Sequence, residues 1–68
     1  MNLKLLREIK KVTQIQLAEK LETTQSIISR HESNRDVKVS TVKDYVKALG
    51  GEIEIIARFE NGSSYNLF

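Results

Sequence analysis

Sixty-eight residues with a net charge of +2 and no cysteine make one small domain that cannot be held by disulfides or thiolate metal sites. A chain of this size buries only about 60% of its unfolded surface, so a second copy of itself is the expected source of added stability. No apolar run approaches the ~20 residues of a membrane span or the ~7–15 of a secretory signal. The charge is uneven: residues 1–50 carry ten basic against six acidic side chains, and residues 51–68 one against three. The first part therefore suits a polyanionic partner that the tail would repel.

The first predicted helix covers residues 3–11, with Asn2 as N-cap and Leu5, Leu6, Ile9 and Val12 as its apolar stripe. A second follows Thr13, where Gln16 three places on completes a capping-box signature, and it runs to about Leu21 with Leu17, Ala18 and Leu21 inward. The third runs from a cap at Thr24 to about Glu32. Only Ile27 and Ile28 are apolar within it, so most of its surface meets something wet or charged. The fourth starts after Ser40 and stops at Gly50; Val42, Tyr45, Val46 and Leu49 form the cleanest amphipathic stripe in the chain.

Residues 52–59 then alternate as a strand. Asn61-Gly62 reads as a two-residue hairpin turn, which places Glu60 opposite Ser63, Arg58 opposite Tyr65 and Ile56 opposite Leu67. Ile53, Ile55, Ala57, Phe59 and Phe68 would share the other face. A lone hairpin is marginal in water, so the tail is expected to be covered by its own helices on one side and by a second chain on the other.

The second and third helices are separated only by Glu22-Thr23, and Ala18 is small enough for them to cross closely. Such a pair can lay its second helix in a DNA major groove while the first crosses the backbone. The run Thr-Gln-Ile-Gln-Leu-Ala-Glu-Lys-Leu (13–21) followed by Thr-Thr-Gln-Ser-Ile-Ile-Ser-Arg-His-Glu (23–32) resembles the Cro/cI-type (XRE) helix-turn-helix family over roughly residues 3–50. That resemblance implies a mainly α fold, a four-helix lambda-repressor-like domain with a C-terminal β-strand or hairpin. The late glycines, Gly50, Gly51 and Gly62, split off a β tail, giving a helix-turn-helix DNA-binding domain (1–50) and a tail (51–68) that is expected to dimerise.

Carried over, the resemblance makes Gln14 a phosphate ligand that buttresses Gln25, and makes Gln25 the reader of a base edge, adenine by its donor–acceptor pair. Ser26 and Ser29 would meet bases or phosphates, Ile27 a thymine methyl, and Arg30 a guanine edge or a phosphate. Arg35, Lys38, Thr41 and Lys43, with nearby backbone amides, would hold phosphates and set register. On an isolated helix Gln25 and Arg30 would be ordinary solvated residues; the motif around them gives them a role. Two positions depart from the family, which commonly has glycine where this chain has Lys11 and Glu22. A positive φ at Glu22 would cost about 1–2 kcal/mol.

The tail from Leu49 to Phe59 is similar to the strand segment of antitoxin repressors of the Hip type, in which strands pair across a dimer. Ile53, Ile55, Ile56, Phe59 and Leu67 are the expected dimerisation residues. The sequence thus reads as a dimeric transcriptional repressor that binds double-stranded DNA in a bacterial or phage-type cytoplasm, associated with the nucleoid. Two alternatives stay open: an antitoxin that also binds a toxin protein, and a protein-docking module that has lost DNA binding. No cofactor, metal or membrane is expected. The single histidine, His31, has no acid–base constellation around it and fits partial burial, which argues against an enzyme.

Overall fold

The computed structural model describes residues 2–67: four helices, α1 (Leu3–Ile9), α2 (Gln14–Lys20), α3 (Gln25–Ser33) and α4 (Val39–Ala48), followed by β1 (Ile56–Arg58) and β2 (Ser64–Asn66). The helix starts follow local side-chain chemistry. Asn2 Oδ1 accepts from Leu5 N at 2.9 Å, and Thr24 Oγ1 from Ile27 N at 3.3 Å. At α2 the capping box is complete, with Thr13 Oγ1 accepting from Gln16 N and Gln16 Oε1 from Thr13 N. α4 starts earlier than expected. Lys38, not Ser40, is its N-cap, and no side-chain cap bond forms there.

Three helices end in the same way. After α1, α2 and α4 the chain turns through a positive φ at Lys11 (57°), Glu22 (54°) and Gly50 (89°). The next amides, of Val12, Thr23 and Gly51, reach back to the carbonyls of Arg7, Ala18 and Val46. This is the Schellman ending, which satisfies carbonyls that the helix leaves open. Only one of the three turns has the glycine that makes a left-handed residue free of strain.

Leu17, Ala18, Ile28 and Tyr45 form the buried core, with Leu3, Val12, Leu21, Ala48 and Leu49 packed around it. Ala18 of α2 is buried in the same cluster as Ile28 of α3. The α4 stripe turns inward as read: Tyr45 is buried and Val42, Val46 and Leu49 are half-buried. The α1 stripe does so only in part, with Leu6 and Val12 half-buried and Val12 packed on the core. Leu5 and Ile9 are 47% and 58% exposed, and the residue of α1 that is buried is Arg7. An arginine goes inward here because a carboxylate of α3 meets it, as described below.

The tail departs from expectation in two respects. Its strands span three residues each, and the loop is one residue longer than the Asn-Gly reading. Phe59 N donates to Ser63 O and Gly62 N to Phe59 O, so Glu60, Asn61 and Gly62 make a three-residue loop with Gly62 at φ 89°. The register is Ile56 with Asn66, Ala57 with Tyr65 and Arg58 with Ser64. Ile56 therefore does not face Leu67, nor Arg58 Tyr65, nor Glu60 Ser63. A slip of one residue moves a strand's side chains to the other face. Ile55, Ala57 and Phe59 now share a face with Tyr65 and Leu67, and Phe59 meets Tyr65 edge-on with centroids 5.8 Å apart. Phe68, expected on that face, lies outside the described residues.

The second departure is that the helices do not cover this hairpin. Its strands pair with each other and barely touch the helical block. The molecule extends to 45 × 22 × 19 Å, and Phe59, Tyr65 and Leu67 are 58%, 59% and 64% exposed.

Candidate nucleic-acid interface

α3 is held by its inner face and shows its outer one. Ile28 is fully buried and fixes the helix against Leu17 and Tyr45, while Gln25, Ser26, Ser29 and Arg30 are exposed. At helical spacing these four fall on one side. A shallow depression of about 380 Å³ is lined by Gln14, Gln25, Ser26 and Ser29, which brings the first residue of α2 beside the start of α3.

A hydrogen-bonded chain runs behind that surface. Arg7 donates through Nε to Glu32 Oε2 at 2.7 Å and through Nη2 to Glu32 Oε1 at 3.1 Å, the bidentate geometry of a strong pair. Its Nη1 donates to the Val12 carbonyl at 2.8 Å. Gln14 Nε2 donates to Glu32 Oε1 at 3.1 Å, and Gln25 Nε2 donates to Gln14 Oε1 at 3.3 Å. The side chains of Arg7 and Glu32 are 9% and 4% exposed. Burial by itself would push the Glu32 carboxyl up. The hydrogen bonds from Arg7 and Gln14 and the guanidinium charge outweigh it and hold the carboxyl below the usual carboxylate range. The Arg7 guanidinium is raised in turn, chiefly by its hydrogen bond to Glu32.

This arrangement fixes polarity. An ionised carboxylate only accepts, so Gln14 must turn its amide nitrogen to Glu32 and its oxygen to Gln25. Gln25 must then turn its nitrogen to Gln14. Its remaining N–H and its carbonyl stay available at the surface, which is the pair that the adenine edge requires.

The other expected residues are more scattered. Ile27 is half-buried on the opposite flank of α3, where it lines a small cavity with Leu21, His31, Asp44 and Tyr45. Arg35 borders a groove beside Asn2 and Leu3, and Lys38 and Thr41 follow at the start of α4. Lys43 lines a separate depression with Lys47, Gly51, Glu52 and Ile53, toward the tail. His31 is half-buried as anticipated, with Nδ1 3.2 Å from the Tyr45 hydroxyl and its ring edge-on to Tyr45. Burial and the charge of Glu32 push the Tyr45 phenol up to about 12, against an opposing effect of Arg7. The sequence reading missed Arg7 altogether. Its one available signal was position, a basic residue on the helix face that also holds Leu3 and Leu6.

The helix-turn-helix family model matches residues 3–56, and the chain belongs to that family. Among solved structures it is similar to one described as "DNA bound antitoxin HigA3", with a TM-score of 0.91 and 27% identity over 100% of this chain and 90% of that one. It is also similar to one described as "Induced DNA bending by unique dimerization of HigA antitoxin", with a TM-score of 0.86 and 28% identity over 97% of this chain and 90% of that one. No curated protein matches it.

Proposed function

We propose that this chain is a sequence-specific reader of double-stranded DNA that acts as a homodimeric transcriptional repressor, with α3 in the major groove. The observation that carries this reading is the chain from Arg7 through Glu32 and Gln14 to Gln25. It presents an oriented amide at the exposed start of a polar helix, a device with no purpose in a merely solvated face. Gln25 reads a base, Ser26, Ser29 and Arg30 extend the contact, and Gln14, Arg35, Lys38 and Thr41 hold phosphates. Lys43 does so only if DNA reaches the tail side of α4. The half-buried Ile27 reaches a thymine methyl only at the edge of the contact. No helix among the described residues is long and apolar enough to cross a membrane. The reading places the protein on DNA in a bacterial or phage-type cytoplasm, as a binding module and not an enzyme.

Residues 1–50 form the DNA-binding unit of this reading and residues 51–68 the dimerisation unit. The apolar hairpin face of Ile55, Phe59, Tyr65 and Leu67 is the surface through which two copies pair. Two recognition helices then enter successive major grooves about 34–36 Å apart. Both solved structures above are of antitoxins, and this chain spans most of each. That favours a second reading in which the protein also binds a toxin and represses its own promoter. A stable complex with a protein that is toxic when expressed alone would carry it.

Selection of binding sites from random duplexes at two salt concentrations tests the main reading. The expected result is a two-fold symmetric site with half-sites about 10 bp apart and an affinity that falls steeply with salt. No enriched site at either concentration would overturn it. Gln25→Ala is expected to weaken binding to the selected site by about 1–3 kcal/mol and to relax preference at one base pair. Equal losses on selected and random duplexes would refute the base-reading role.

A further inference from the structure

Lys11 occupies a backbone position that ordinarily belongs to glycine. Its φ is 57°, and it forms the left-handed turn that ends α1. A lysine there is strained and adds nothing to the core, for its side chain is exposed. What the position does give is place. Lys11 lines an open depression with Lys4, Arg7, Glu8, Gln14 and Gln25, among others, so it borders the surface that carries the two glutamines. Arg7 is committed to Glu32 and the Val12 carbonyl. Glu8 offsets one of the two lysines, which leaves the rim basic.

We infer that Lys11 is a DNA phosphate-binding residue: the left-handed turn places its ammonium on the backbone phosphate that flanks the base read by Gln25, and fold stability is lowered in exchange for affinity. The inference rests on the proposed function and adds to it a residue whose two effects have opposite signs. The contact carries no sequence information, so its loss weakens all duplexes alike.

Three variants of the full chain test this, with the selected operator duplex and a random duplex of equal length as probes. Lys11→Gly relieves the turn and removes the charge. Its Tm is expected to rise by a few degrees while affinity for both duplexes falls by a similar factor, with the salt slope reduced by about one. Lys11→Gln keeps the strain and loses the charge, so affinity falls without the rise in Tm. Lys11→Arg restores affinity and slope. Wild-type binding that Lys11→Gln leaves unchanged in affinity and slope overturns the inference alone. A wild-type chain that binds neither duplex overturns the proposed function and the inference with it.

Discussion

Arg7 and Glu32 set the behaviour of the residues around them. Each is almost wholly withdrawn from water, and each is tolerable there because the other is present. Removing one partner leaves an uncompensated charge, so Glu32→Ala is expected to lower stability by about 3–5 kcal/mol, measured by urea unfolding. A loss under 1 kcal/mol would mean that Arg7 swings out to solvent and that the network does not anchor α1. The pair was illegible in the sequence because arginine is ordinarily a surface residue. Periodicity alone favoured Leu5 and Ile9 for the interior, and only the meeting with Glu32, 25 positions away, decides otherwise. Glu22 is the converse case. Its turn was marked by the missing glycine, and the positive φ is there. Glu22→Gly is expected to stabilise by up to about 1 kcal/mol, since relief of left-handed strain exceeds the added freedom of the unfolded chain. A variant that melts lower than wild type would show that Glu22 makes compensating contacts.

The elements divide into those decided locally and those decided by one residue of loop length. Asn2, Thr13 and Thr24 begin their helices as read, because a cap depends on residues three places apart. The α2–α3 crossing was legible for the same reason, from Ala18 and a two-residue turn. The hairpin was not. Asn61-Gly62 is compatible with either a two- or a three-residue loop, and the choice reassigns every side chain of the second strand. In the observed register Tyr65 and Leu67 join the Ile55–Phe59 face while Ile56 sits with Asn66. The dimer proposal can be tested on this difference. Replacing Tyr65 and Leu67 together by Ser is expected to give a monomer in sedimentation, whereas Ile56→Ser leaves the dimer intact. The opposite result would favour the two-residue loop and the other face.

At the scale of the molecule, two titrations frame the range of stability. Glu32 is held below the usual carboxylate range in the folded chain, so its contribution is complete above about pH 4.3 and is lost as pH falls through its folded value. Protonation there also removes the acceptor that orients Gln14, so site-specific binding is expected to fail in the same acid range as the fold. Tyr45 titrates at about 12 in the folded chain, above the ordinary ~10 of tyrosine. The folded state holds its proton where the unfolded chain has lost it, and stability therefore falls as pH rises from about 10 toward 12. Far-UV ellipticity followed across both ranges checks this. Tyr45→Phe is expected to remove the alkaline loss and leave the acid one, and persistence of the alkaline transition would place its origin elsewhere.

The hairpin that stands away from the helices has a further consequence in amide hydrogen exchange. Its few ladder amides can open without disturbing Leu17, Ile28 or Tyr45, so they exchange through a local fluctuation while core amides wait for global unfolding. A partner copy seated on the Phe59–Tyr65 face would close that route. Protection of the amides of residues 56–66 would then rise with protein concentration, while protection in α2 and α3 would change far less, and the tail's exchange rate would report directly on how much of the protein is paired.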